Sequence, residues 1–585
     1  MRRTLVTLTI VAVCAAAATV RSADPDLSLL QQRIDRLDAL TQRVEALSAI
    51  KRLQHAYGHY AELGLWHDFA DLFADTGIGY YTQGALDRDG IRKLFLNDVG
   101  GGQVGLKDGR IYPHISMQPV ITLAADGQSA NGRWHIMAML GGYQTTASWS
   151  GGVYENQYVR ENGVWKMKEV RYFQQYSGRY EAPGWTATKD QTAFDFDSSR
   201  GGTPIPDVPS SVAGGFRLQA EKTPTLTALA GRLAGLAAHA QNLNDEIEVT
   251  NLQHQYGYLL DRRMWDDVAK LFADDGTMEI GLTGVYVGPR SIRRGLNTLG
   301  PAQGEVNDHI HLQTIVTVSP DGRTARARGT ELGMTTVEGR ALWSQSIYEN
   351  EFVKRNGQWK FKTMHVYPRF IVDAAQGWAK DAQPAPQPSK AYPPDRPPTE
   401  TYEIYPRFHI APFHFAHPVT GRTPQYPGGT QPYPAPLWDG FRGAQKPRDA
   451  DLSAVKTAGA LESLLTATER SVARSKAYHA SENVTTAYGY STDDSRSDPS
   501  FLMVHQIVQP VITVSADGRS SKILARLFQL GGPTGGEGSW TSGIYDNTAV
   551  DENGTWKLSR TTLLQSWTAP SRGGWIRSKT PPTLP

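Results

Sequence analysis

Apolar residues recur along two stretches of the chain at the spacing of a helix face. Leu30, Leu37, Leu40, Val44, Leu47 and Ile50 stand mostly three, four or seven apart, and Leu226, Leu229, Leu233, Leu236, Leu243 and Ile247 repeat the pattern further on. Such spacing draws one apolar stripe along each of two long amphipathic helices. Elsewhere the pattern changes to β-branched runs at 120–123 and 315–318, each followed by an Asp-Gly pair at Asp126 and Asp321. These runs predict strands with hairpin ends, and Tyr154–Val159 with Trp165–Val170 predicts another pair around Asn162-Gly163. Helix first and a meandering antiparallel sheet after is an α+β plan.

The plan is repeated. Leu53-Gln54-His55-Ala56-Tyr57-Gly58 returns as Leu252-Gln253-His254-Gln255-Tyr256-Gly257, and each is followed by a Trp (Trp66, Trp265) and a Leu-Phe-Ala-Asp block (Leu72–Asp75, Leu271–Asp274). A His-x-x-x-Gln block occurs three times, as His114/Gln118, His309/Gln313 and His505/Gln509. So does a Trp…Tyr-acid-Asn block, at Trp149/Tyr154, Trp343/Tyr348 and Trp540/Tyr545, with Asn-Gly-x-Trp-Lys after each and Gly-Trp closing each unit at Trp185, Trp378 and Trp575. Ordered blocks in triplicate mark a triplicated domain. The third copy is truncated: Asp493 stands 12 residues before His505, whereas Asp261 stands 48 before His309. The lost part carries the short helices, and a copy without them is expected to be structural.

Length supports this division, because 585 residues exceed what one core holds. The expected units are 24–195, 223–383 and a degenerate 451–585, joined by linkers at 196–222 and 384–450. Residues 384–447 hold 16 of the 35 prolines, which excludes regular structure there. His409, His414 and His417 in that segment are expected to belong to a strap over a neighbouring unit. Sixty basic against 58 acidic side chains, with no basic run, argue against a nucleic-acid binder. Arg2 and Arg3 before an apolar stretch from Leu5 to Val20 read as a secretory signal peptide over 1–23, so a soluble periplasmic product is expected. No later stretch is apolar enough to span a bilayer.

The order of helix, acid, Trp, Leu-Phe-Ala-Asp, strand His and Asn-Gly-x-Trp-Lys resembles the SnoaL-like branch of the nuclear-transport-factor-2-like superfamily, and within it scytalone dehydratase. The resemblance implies tandem cones, each a curved antiparallel sheet wrapped around helices and enclosing one apolar pocket. It places Asp261 and Glu62 at the family's acid, His309 and His114 at its strand His, and Tyr81 at its carbonyl-polarising Tyr, where copy two has Ile280. Tyr154 and Tyr348 take the place of an Asn. No cofactor is implied.

A carboxylate bonded to one imidazole nitrogen fixes the tautomer and raises the basicity of the other, and a Tyr hydroxyl can stabilise developing negative charge. His114, Glu62, Tyr81, Tyr154, His309, Asp261 and Tyr348 are therefore the candidate catalytic residues, with Tyr57, Gln118, Tyr256, His311 and Gln313 as candidate binding residues. Strand alternation puts His114, Ser116 and Gln118 on one side, and His309, His311 and Gln313 likewise. It also turns Glu155 and Glu349 away from Tyr154 and Tyr348. His309-x-His311 lacks a third ligand, so no metal is expected. Trp149, Trp165, Trp343 and Trp359 are expected in the core. The function expected is an exported, cofactor-independent lyase or isomerase acting on a small hydroxylated aromatic compound. The competing expectation is a non-catalytic binding or assembly protein whose domains pair through their sheets, within the chain or as a homo-oligomer.

Overall fold

The computed structural model describes residues 25–81, 83–182, 184–187, 201–206, 224–299, 305–427, 455–494 and 500–575, so the expected signal peptide lies outside the described residues. Three long helices organise it: Leu27–Leu63, Leu226–Asp261 and Ala458–Asp494. Asp26 caps the first by accepting from Ser28 N, and Gly64 ends it in a left-handed conformation. Their N-terminal halves bury Leu30, Ile34, Leu229, Leu233, Leu461 and Leu465 against one another.

Each helix feeds a sheet. Copy one has a short helix Trp66–Asp71, strands β1 (Phe73–Tyr81) and β2 (Gly84–Asp87), a short helix Arg88–Lys93, and then β3 (Arg110–Ile111), β4 (His114–Leu123), β5 (Ser129–Gly142), β6 (Ala147–Glu161), β7 (Val164–Arg179) and β8 (Thr186–Ala187). The order is β2-β1-β7-β6-β5-β3, with β4 also on β5 and β8 on β7. Copy two repeats this with β9 (Phe272–Ile280), β10 (Tyr286–Val287), β11 (Asn307–Val318), β12 (Thr324–Val337), β13 (Arg340–Arg355) and β14 (Gln358–Asp373), ordered β10-β9-β14-β13-β12-β11. Copy three keeps only β15 (Phe501–Val514), β16 (Ser520–Pro533), β17 (Ser539–Glu552) and β18 (Thr555–Pro570), with no counterpart of β1 or the short helices among the described residues. Asn162-Gly163, Asn356-Gly357 and Asn553-Gly554 all take positive φ, the conformation of a tight two-residue hairpin turn.

The three copies close a ring, which sequence periodicity did not predict. Each His-x-x-x-Gln strand is bulged just before or at the Gln, between Met117 and Val120, Leu312 and Ile315, and Val508 and Val511. Gln118, Gln313 and Gln509 have φ of 56°, 51° and 53°. The bulge breaks the two-residue alternation, so each Gln leaves the stripe expected for it and crosses to another copy. Gln313 Oε1 accepts from Ser116 N (2.9 Å), Gln509 Oε1 from His311 N (3.1 Å) and Gln118 Oε1 from Ile507 N (3.0 Å). Gly58, Gly257 and Gly489 receive these side chains, since a Cβ there would overlap the carboxamide. Trp149, Trp343 and Trp540 meet at the centre with ring centroids 5.4–5.5 Å apart. Trp149, Trp165, Trp343 and Trp359 are all buried as expected, and Trp149 and Trp343 also join the copies. The contact is heterologous and closes after three steps, in place of the pairwise sheet packing considered above.

The proline-rich segment straps copies one and two. Phe413 lies under the Arg328 guanidinium (3.8 Å to the ring centroid), and His417 Nε2 reaches Asp68 O (2.8 Å). His414 Nδ1 lies 2.8 Å from Glu349 Oε2. Glu349 does point away from Tyr348, but into the buried contact with this strap and Arg328 rather than into solvent.

Candidate active site

The acids that end the first two long helices are wired differently. In copy two Asp261 Oδ1 accepts from His309 N (2.8 Å) and lies 3.1 Å from His309 Nδ1. The expected dyad is therefore formed. In copy one Glu62 pairs instead with His59 Nδ1 (3.2 Å) and accepts from Gln345 Nε2 of copy two (2.7 Å). His114 consequently has no carboxylate bonded to it, which corrects the expectation for that copy. Residue 59 decides the difference: the imidazole of His59 takes up Glu62, while its counterpart Tyr258 bonds Gln509 O (2.9 Å) and leaves Asp261 to His309.

The other side of the copy-two dyad is closed by copy three. Arg526, on β16, bonds Asp261 Oδ2 and lies 3.2 Å from Asp308 Oδ1. Asp308 is held further by Ser542 Oγ (2.6 Å) and Trp567 Nε1 (3.0 Å). A cleft of about 190 Å³ opens beside Asp261, Asp308 and Arg526. Burial lowers the His309 pKa, but the bond to Asp261 and the charges of Glu331, Asp261 and Asp308 outweigh it and hold it above the ordinary imidazole value. Burial raises the Glu331 carboxyl against the pull of His309, and Asp261 adds to the rise. Glu331 Oε2 lies 3.5 Å from His311 Nε2. Glu331 and Arg526 are the residues that sequence reasoning missed. Their counterparts in copy one are Ile136 and His135, so no repeated block marks them.

Tyr348 does not face His309. Its hydroxyl lies 2.5 Å from Thr314 Oγ1, and its ring covers Gly329, where a Cβ would collide with it. Copy one has Trp134 at that register position, and there Tyr154 OH lies 3.0 Å from His114 Nε2. Tyr57 OH sits 3.1 Å from Tyr154 OH and 3.0 Å from Tyr81 OH, so three phenols and one imidazole form a single chain. His114 Nδ1 is buried with no hydrogen-bond partner among the described residues, and burial lowers its pKa to about 4 against the pull of Glu62. Burial, and then the neighbouring phenols, raises Tyr57 and Tyr154 well above the ordinary value.

Of the candidate binding residues, Tyr57 belongs to this chain and Tyr256 is core, packed against His311 and Phe361. His311 Nδ1 is taken by Gln253 Nε2 (2.9 Å), which places it in a buried polar network with Asn350. His309 and His311 thus face different partners. Gln118 and Gln313 hold the ring together instead of lining a cone.

A SnoaL-like domain matches the chain three times, at residues 42–171, 241–365 and 476–562, together more than half of it. The chain belongs to the SnoaL-like domain family. Among solved structures it is similar to a nuclear-transport-factor-2-like protein with a cystatin-like fold from Novosphingobium aromaticivorans (23% identity over 25% of this chain and 92% of that one, TM-score 0.20). It is also similar to a putative scytalone dehydratase from the same organism (20% identity, 23% and 89%, TM-score 0.20) and to a type 2 hexachlorocyclohexane dehydrochlorinase (21% identity, 22% and 86%, TM-score 0.20). None of the curated proteins compared matches it. In this SnoaL-like chain the acid and the strand His of the family pattern come together in copy two alone of the two fuller copies.

Proposed function

We propose that the protein is an acid–base lyase or isomerase whose working centre is copy two, acting on a small hydroxylated aromatic compound. The His309–Asp261 contact at 3.1 Å carries this reading. Asp261 accepts the Nδ1 proton and fixes the tautomer, which leaves Nε2 as the base. Thirteen per cent of the His309 side chain is exposed, and Nε2 has no hydrogen-bond partner among the described residues. In an elimination, Nε2 takes a proton from carbon while Glu331, whose carboxyl holds its proton more tightly than usual, gives one to the departing hydroxyl. Water leaves, and the imidazolium returns its proton to Glu331, so the centre is restored. The cleft beside the dyad is lined by Tyr258, Val306, Ile544 and Trp567 as well as by its charged groups, which suits an aromatic ring that bears a hydroxyl.

Export to the periplasm is part of the proposal and rests on the charged and apolar pattern of residues 1–23. The test is incubation of the mature chain with a panel of hydroxylated aromatics, followed by mass spectrometry. Turnover is expected to fall by roughly 10²–10⁴-fold in His309→Ala and to survive in His114→Ala. A His309→Ala chain as active as the wild type ends the reading.

A further inference from the structure

We infer that Arg526 of the truncated third copy is a positioning residue of copy two's centre, so that the degenerate repeat completes a site it does not itself contain. The inference rests on the reading of copy two given above. Arg526 stands on β16, is 2% exposed, and reaches across the ring to Asp261 Oδ2 while Asp261 Oδ1 engages both the backbone N and Nδ1 of His309. One carboxylate thus has its two oxygens divided between a guanidinium and an imidazole. A guanidinium presents several donors in a fixed fork, and here the fork also spans to Asp308 Oδ1 (3.2 Å) and to Gln509 Oε1 (3.2 Å). The Arg526 side chain is therefore held from three directions, and the ring of Tyr258 lies 5.2 Å from its guanidinium carbon.

Two consequences follow from this geometry. The first concerns shape: with Oδ2 fixed, rotation of the Asp261 carboxylate is blocked and Oδ1 stays on His309. The second concerns charge. His309 is faced by Asp261 from the long helix, by Asp308 and His311 from its own strand, by Glu331 from the strand beside it, and by Arg526 only through Asp261. Three carboxyl groups favour the imidazolium, and a base that stays protonated cannot act. Arg526 offsets two of them, Asp261 and Asp308, by direct contact. The corresponding contacts elsewhere in the ring are weaker: Glu62 meets the neutral Gln345, and Asp493 meets His135 at 3.6 Å. Asp261 bonds a permanent cation of another copy directly, whereas Arg369 and Arg328 of copy two act on Glu62 through space.

The decisive measurement is the titration of His309 by nuclear magnetic resonance in the full mature chain labelled at histidine, alongside a pH–rate profile. In Arg526→Gln the His309 pKa is expected to rise by roughly half a unit or more, with the acid limb of kcat moving up by the same amount. Arg560→Gln removes an exposed guanidinium of the same copy, paired with Asp546, and is expected to leave both unchanged. Arg526→Lys serves if Arg526→Gln does not fold. An ammonium lacks the planar fork and holds the two carboxylates less rigidly, so the pKa moves in the same direction by less and kcat falls. A His309 titration unmoved in Arg526→Gln, or an Arg526→Lys chain with wild-type titration and kcat, overturns the inference. A wild-type chain without turnover whose His309 titration still moves would end the acid–base reading and leave the positioning role standing. Turnover with an unmoved titration does the reverse.

Discussion

Single side chains decide which copy can do chemistry. His59 and Tyr258 occupy one register position, yet the first draws Glu62 away from the strand His and the second leaves Asp261 free to bind it. Asp261→Asn should lower kcat by roughly 10²–10⁴-fold, because the tautomer of His309 is no longer fixed. It should also shift the acid limb of the pH–rate profile downward, since the partner that raised the imidazole has lost its charge. A downward shift with kcat intact would show that Asp261 tunes His309 without orienting it. Stability has its own pH signature. Burial lowers His55 to about 3 and His254 to about 4, although each bonds a backbone carbonyl of the next copy (Thr314 O, Pro510 O). Their folded values lie below the ordinary imidazole value, so the unfolded chain binds more protons as pH falls from 6.5 toward 4, and stability drops in that window. His309 and His239 have the opposite sign but are outnumbered by further lowered histidines such as His114, His135 and His417. Thermal denaturation should therefore give a lower Tm at pH 4.5 than at pH 7, with a shallower slope in His254→Gln.

At the scale of elements, the bulged strand and the Tyr-Gly turn of helix form one repeated joint. The strand supplies a Gln in left-handed conformation, and the helix supplies a glycine with no Cβ in its way. Gly58→Ala should destabilise the chain by about 1–3 kcal/mol through overpacking against Gln313, read as a fall in the chemical denaturation midpoint. Gln313→Ala should cost about 1–3 kcal/mol because the buried Ser116 N loses its acceptor. The double variant Gly58→Ala/Gln313→Ala should be more stable than the sum of the two, since truncating the Gln makes room for the new methyl. Strict additivity would mean that the two residues do not meet.

For the molecule as a whole, the joint is used three times in one direction round a closed ring, and the central tryptophans touch all three copies. Copy three has lost its short helices, yet it cannot be dispensed with, because Gln509, Arg526 and Trp540 all serve other copies. Trp540→Ala should remove about 3–5 kcal/mol. The loss should appear in hydrogen exchange as faster opening of all three sheets rather than of β17 alone. Exchange confined to copy three would argue that the copies open independently.

Much of this was legible in the residues. Triplicate blocks fixed the number of copies, the missing span before His505 fixed which one is truncated, and Asn-Gly pairs fixed the hairpins, because these signals are local in the chain. The helix acid and strand His of copy two were legible as a candidate pair for the same reason. Arg526 and Glu331 were not, since neither belongs to a repeated block and their meaning comes from what faces them across a strand or a copy boundary. Nor was the failure of Glu62 to reach His114, which a competing imidazole one turn earlier brings about. Periodicity misplaced the glutamines because it assumes a regular pleat, and a single positive φ in each strand redirected them. A sequence read along one dimension determines which elements form and how often. Which side chains become neighbours depends on how the ring closes, since contact energies are set by separation in space and not along the chain.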